Sequence, residues 1–187
     1  MVETTIERPR RLLAPVAALL AVGLLVAMVV SGHLRENKQF VKFAPAGVMP
    51  EPPEEIDRIE VTTRAGRWEY VRTRDGWRAG QAGPAASRSL ASHLNDSIKF
   101  MHASAPVRVI ERAEWSPAGL REFGLDPPLY TTTLYRGGTA VLGAEFGTPN
   151  PQKVLQYMKL AGQDQVFLMS RFIGEEWEQA IREASGR

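Results

Sequence analysis

Residues 56–77 read IDRIEVTTRAGRWEYVRTRDGW, and this stretch decides the fold class. Ile59, Val61 and Thr63 alternate with Arg58, Glu60 and Thr62, the period-two pattern of a strand with one buried face. Ala65-Gly66 turns the chain, residues 67–73 supply a second strand, Asp75-Gly76 turns it again, and Trp77 opens a third. Strands joined by turns this short lie antiparallel.

Toward the C-terminus, Gly83-Pro84 breaks the strand pattern, and Leu90, Leu94, Ile98 and Met101 then recur at helical spacing with Ser87 as N-cap. Residues 107–111 read as a strand. Ser116-Pro117 reads as the N-cap and first residue of a short helix closing at Gly124, with Leu125 placed for a Schellman contact and Pro127-Pro128 preventing continuation. Four strands follow, near 129–136, 139–146, 154–161 and 165–170, with a longer loop at 147–152. A helix over 172–184 closes the chain on an inner stripe of Ile173, Trp177 and Ile181. The order βββ-α-β-α-ββββ-α contains no recurring β-α-β unit. The expectation over 56–187 is therefore α+β, a mainly antiparallel sheet with two to three helices.

In the other direction lies LLAPVAALLAVGLLVAMVV, Leu12–Val30, 19 residues without a charge. As a helix it spans roughly 28 Å, close to the ~30 Å hydrocarbon core of a bilayer. Arg8, Arg10 and Arg11 precede it. By the positive-inside rule residues 1–11 are cytoplasmic, 12–32 form a single transmembrane helix, and the C-terminal domain is periplasmic or otherwise extracytoplasmic at a bacterial inner membrane. A cleaved signal peptide ending near Ser31-Gly32 is the rival reading, although its apolar region is normally shorter. Ala17, Ala21, Gly23 and Ala27 form small-x-x-x-small pairs, candidate contacts for a second helix. Residues 33–55, rich in Pro and Glu, read as an extended linker between membrane and domain.

Charge follows the same division. Arg8, Arg10, Arg11 and Arg35 against Glu3 and Glu7 account for the whole formal charge of +2, leaving residues 36–187 neutral in sum. A stretch without a surplus of Lys and Arg is poorly suited to nucleic acid. The chain has no cysteine, which removes disulfides, thiolate catalysis and iron–sulfur ligation.

A set of short motifs carries a resemblance: Asp75-Gly76-Trp77 after a strand pair and before a helix, Phe123-Gly124-Leu125-Asp126-Pro127-Pro128 before a strand, Leu142-Gly143, Tyr157-x-Lys159 and Val166-Phe167-Leu168. Over residues 56–185 the chain resembles a bacterial family catalogued as a domain of unknown function, number four-three-four-zero. The resemblance implies a membrane-anchored extracytoplasmic protein, some relatives being associated with gliding-motility or ABC-type export systems. Many members carry more than one copy of the domain, where this chain has one. The family has no established catalytic residues, so none is carried over.

The residues themselves offer little chemistry. His93 and His102 stand nine apart on one helix, about 900° of rotation, and so point to opposite faces, while His33 sits beside the apolar run. No metal site, cofactor or catalytic residue is expected. Ser92, His93 and Asp96 supply triad letters without facing one another, and Gly143–Gly147 lacks a nucleotide-loop pattern. Trp68, Tyr70, Arg72 and Arg74 share one face of the second strand, a candidate ligand or partner surface. Phe146 and the 147–152 loop are a second candidate contact point. The expected function is a non-enzymatic accessory or scaffold subunit of a larger inner-membrane or periplasmic complex, with the lipid bilayer and other membrane subunits as partners. The alternatives are an envelope glycan- or substrate-binding module, with an open groove at Trp68–Arg74, and a hydrolase with dispersed acids.

Overall fold

A computed structural model describes Pro15, residues 18–28 and residues 46–186. The first strand forms as its alternation dictates: in β1 (Arg58–Thr63) Ile59 and Val61 are buried and their neighbours are not. It pairs antiparallel with β2 (Gly66–Thr73), Val61 opposite Trp68, across a turn in which the Thr63 hydroxyl accepts the Ala65 N–H at 3.0 Å. A second turn leads to β3 (Gly76–Ala79); Gly76 takes a φ of 114°, open to glycine at no steric cost. The C-terminal meander is β5 (Tyr130–Arg136), β6 (Thr139–Pro149), β7 (Leu155–Leu160) and β8 (Val166–Ser170), with β4 (Arg108–Ile110) added beside β8. One pairing joins the two meanders: β1 runs antiparallel to β5, with Ile59 opposite Leu134. The result is one eight-stranded sheet in the order β3-β2-β1-β5-β6-β7-β8-β4, every adjacent pair antiparallel.

Two helices cover one face. In α1 (Arg88–Ala103) the Ser87 side chain accepts the Leu90 N–H, and Leu90, Leu94, Ile98 and Met101 are buried. In α3 (Arg171–Ala184) Ile173, Gly174, Trp177 and Ala180 face inward. Both stripes meet Ile59, Leu134, Phe146, Met158 and Met169 from the sheet in the main core, with Trp177 fully buried. Gly174 is required by contact: a Cβ there would collide with the Gln156 side-chain oxygen, which accepts from Arg171 at 2.7 Å while the Gln156 amide donates to the Gly147 carbonyl.

A second, smaller core of Ile110, Leu125 and Val166, with Trp115, Leu120, Phe123 and Tyr157, lies on the opposite face near β8, since Val166 alternates with the helix-side Phe167. The short helix here begins one turn before the expected Ser116 start. It is α2 (Arg112–Trp115), opened by a capping box of Glu111 and Glu114, and Ser116 is its C-cap. The reciprocal Glu111–Glu114 bonds satisfy the free N–H groups earlier than Ser116 would. The expected Schellman close is present without the helix before it: Gly124 N–H reaches Arg121 O and Leu125 N–H reaches Leu120 O, both at 3.0 Å. The loop expected at 147–152 is also shortened, because β6 runs through a bulge to Pro149.

The N-terminal expectations change most. Among the described residues no helix is long and apolar enough to cross a membrane. The membrane-spanning helix expected over 12–32 is thus not shown: the continuous described run, 18–28, is 11 residues and roughly 16 Å long, half a hydrocarbon core. The remainder of that span, with residues 1–11 and 33–45, lies outside the described residues apart from Pro15. Residues 46–55, expected in the linker, pack on the domain. Gly47 and Met49 donate backbone N–H bonds to His102 O and Met101 O at 3.0 and 3.1 Å, and the His102 Nδ1–H returns a bond to Met49 O at 3.0 Å. Met49 and Ile56 are fully buried, and a Met side chain taken from water contributes about 1.5–3 kcal/mol, enough to draw the segment in.

Met49→Ala therefore destabilises the chain by about 2–5 kcal/mol, whereas Pro50→Ala at the exposed neighbour stays within about 0.5 kcal/mol, as read by urea unfolding. Gly174→Ala costs about 1–3 kcal/mol in the same assay, because Gln156 must leave two hydrogen bonds to make room.

Candidate functional site

The expected face of β2 is real, but it is the core side. Trp68 packs partly buried against the main core, and Tyr70 is only 5% exposed. Arg72 is committed to structure: its Nε–H donates to Ile56 O at 2.8 Å, an Nη2–H donates to Pro53 O at 3.2 Å, and the guanidinium lies 4.5 Å from the Trp77 ring centre. Burial makes this guanidinium less basic than usual, against the pull of Glu54. Arg74 stands exposed in the following turn. The four side chains therefore line no common open groove: alternation put Trp68, Tyr70 and Arg72 on one side, and the helices cover that side. Phe146, the other candidate contact, is 1% exposed and stacks on Tyr130 at 4.6 Å. Ala21, Gly23 and Ala27 are exposed on the 18–28 run, and Ala17 and His33 lie outside the described residues.

Tyr70 does reach a cavity. A pocket of about 330 Å³ opens where the end of α3 meets the start of α1 beside β2 and β3. Its walls are apolar, from Ala79, Pro84, Ala85, Ala86, Leu90 and Ala184, and its polar lining is Tyr70, Ser87 and Glu183. The residues come from four places in the chain. Ala79 ends β3, the 80–87 segment folds back so that Ala86 N–H meets Trp77 O at 2.8 Å, and Glu183 arrives on the last turn of α3.

Glu183 is held in place by α1. The Ser87 hydroxyl donates to it at 2.9 Å, and the Ser89 hydroxyl donates to its other oxygen. The Ser89 bond, with Ser87 and His93 adding and partial burial opposing, keeps this carboxyl below its ordinary value of 4.5. Two turns back on α3, Glu176 accepts the His93 Nδ1–H at 2.6 Å, and His93 Nε2 lies 3.7 Å from Glu183. His93 thus sits between two carboxylates of the neighbouring helix rather than free in solvent, as its sequence context suggested. No local signal marks this, because Glu176 and Glu183 are more than 80 residues away. His102 is separate, bonded to the Met49 carbonyl.

This is not the geometry of nucleophilic catalysis. Ser87 and Ser89 both donate to Glu183, and Ser92 donates to Asp96 at 3.3 Å, so the hydroxyls at this helix junction point to carboxylates and not to His93. Among the described residues no group of three or more His, Asp or Glu is placed to hold a metal ion. Burial, reinforced by the Glu183 charge, pushes the Tyr70 phenol above its usual value, so it stays an un-ionised hydroxyl at neutral pH.

No family model, curated protein or solved structure matches this chain. The likeness to family four-three-four-zero rests on the motif residues alone.

Because the folded-state acidity of Glu183 is increased, the unfolded chain binds its proton more readily as pH falls. The stability from this carboxylate is present above about pH 4.5 and is lost as pH drops through the folded value. Glu183→Gln flattens that acid limb, measured by urea unfolding below about pH 5.

Proposed function

We propose that the chain is a non-enzymatic accessory subunit of a bacterial inner-membrane or periplasmic complex. Its apolar N-terminal segment tethers it with the N-terminus cytoplasmic, and its α+β domain docks, outside the cytoplasm, on another membrane subunit through the sheet face opposite α1 and α3. The tether reading rests on the uncharged Leu12–Val30 run. The docking reading rests on one structural observation: away from the small second core, that sheet face carries no covering element among the described residues and presents a preorganised cluster. Arg58 lies 3.5 Å over the Tyr135 ring, and Glu60 is clamped between Arg58 at 2.9 Å and Arg67 at 2.7 Å. Partial burial of Glu60 opposes its ionisation, but the Arg67 and Tyr135 hydrogen bonds and the charges of Arg67 and Arg58 together outweigh it and hold the carboxyl below its ordinary value.

Interface hot spots are enriched in Arg and Tyr, and a side chain already immobilised loses less entropy on binding. Thr131 and Thr133 on β5 and Glu145 on β6 extend the same face as a level polar surface, with Thr131 opposite Glu145. A wide sheet face with a rigid charged–aromatic centre suits a protein surface better than a small substrate. Of the four expected contacts of the glycan- or substrate-binding alternative, Tyr70 lines a pocket and Arg74 is exposed in the turn beyond β2, on no common groove.

The absence of native cysteine makes the test clean. Thr133→Cys, carrying a maleimide photocrosslinker in the full chain in its own membranes, is expected to give one discrete heavier species; Gln179→Cys, exposed on α3, gives none. Tyr135→Ala combined with Arg58→Ala releases the chain from that species on a native gel. A chain that runs as a monomer from native membranes, with Thr133→Cys and Gln179→Cys labelled alike, rejects the reading.

A further inference from the structure

The pocket between α3 and α1 belongs to neither the sheet face nor the tether. We infer that it is a binding site for a small primary alkylammonium group, its alkyl chain lying on the alanines and its ammonium between the Tyr70 hydroxyl and the Glu183 carboxylate.

Three observations carry this. The first is size and lining: about 330 Å³ of space walled by Ala79, Ala85, Ala86, Ala184 and Leu90 accepts a short unbranched chain and offers it no polar partner along its length. The second is Tyr70. The residue is 95% buried, lines this pocket and makes no side-chain hydrogen bond among the described residues, which leaves its oxygen free to accept an N–H that enters the pocket. The third is charge. The lining holds one ionised group, Glu183, and no Lys or Arg. Glu183 itself is touched by the Ser87 and Ser89 hydroxyls and by His93. Arg88 and Arg182 adjoin these residues in the chain, and neither lines the pocket. Arg78 on the adjoining strand is bonded to the Gly83 carbonyl at 2.6 Å.

An anion is repelled by this lining and a neutral alcohol gains only a hydrogen bond, whereas an alkylammonium gains a charge-assisted one. The same chemistry is carried by a lysine side chain of a polypeptide and by a free amine.

The test uses the full chain in detergent with alanine methyls labelled for NMR, so that Ala79, Ala85, Ala86 and Ala184 report directly. Titration with n-butylammonium is expected to give saturable shifts confined to these methyls, while n-butanol and butyrate at equal concentration give shifts at least about fivefold smaller. An acetylated Gly-Lys-Gly amide is run alongside. Tighter saturation by the peptide names a polypeptide lysine as the source, and tighter saturation by n-butylammonium names a free amine. Tyr70→Phe weakens binding by about fivefold and Glu183→Gln by about tenfold. Ala184→Leu, which keeps every hydrogen bond of Glu183 and fills the space, abolishes the response at the other three methyls and decides the matter if Glu183→Gln does not fold. The inference is overturned if n-butanol shifts these methyls as strongly as n-butylammonium, if the shifts do not saturate, or if they persist in Ala184→Leu.

Discussion

The pairing of β1 with β5 is the constraint on which the rest of this domain depends. Residues 58–63 and 130–135 are distant in sequence, yet they lie in continuous antiparallel register, Ile59 against Leu134 and Val61 against Thr132. Without that seam there are two separate meanders, each too narrow to bury α1 and α3. With it there is one platform of eight strands, wide enough to take both inner stripes against a single core. The loop closed by the pairing is long, but closure entropy grows only as the logarithm of length, so burial of Ile59, Leu134 and the helices resting on them readily outweighs it.

Both proposed surfaces are consequences of the same seam. On the helix side, the seam sets α3 beside α1, bringing Glu183 and Glu176 to Ser87, Ser89 and His93 and leaving a cavity over Tyr70. On the other side it sets Arg58 of one meander over Tyr135 of the other. Neither arrangement exists within one meander. The polar groups at the helix junction brace helices: the serine hydroxyls cap and hold a carboxylate, and the imidazole bridges two turns of α3. That is a rigid setting in which to place a charge, and rigidity is what recognition of a small cation or of a protein surface requires.

The segment before β1 shows how burial overrides composition. Residues 46–55 have the Pro and Glu content of a linker, but Met49 and Ile56 find core sites and Arg72 clamps the carbonyls of Pro53 and Ile56. One methionine and two hydrogen-bonded carbonyls are enough to convert extended chain into part of the domain.

From the sequence alone, the elements follow: alternation in 58–73, the Leu90–Met101 stripe with its Ser87 cap, the Gly124 close and the Ile173–Trp177 face are local signals, and local signals report backbone conformation. The α+β class with an antiparallel sheet follows from their order, and the structure shows it. Strand alternation also placed Trp68, Tyr70 and Arg72 on one side. Which side the helices would cover was not local information, and it decided that Tyr70 lines a pocket while Arg72 is spent on backbone carbonyls. His93 is the sharper case. Its neighbours in sequence are the exposed Ser92 and the core Leu94, and its neighbours in space, Glu176 and Glu183, are supplied by a helix more than 80 residues on. Periodicity determines which residues share a face of one element; only the long-range packing of elements determines what that face meets.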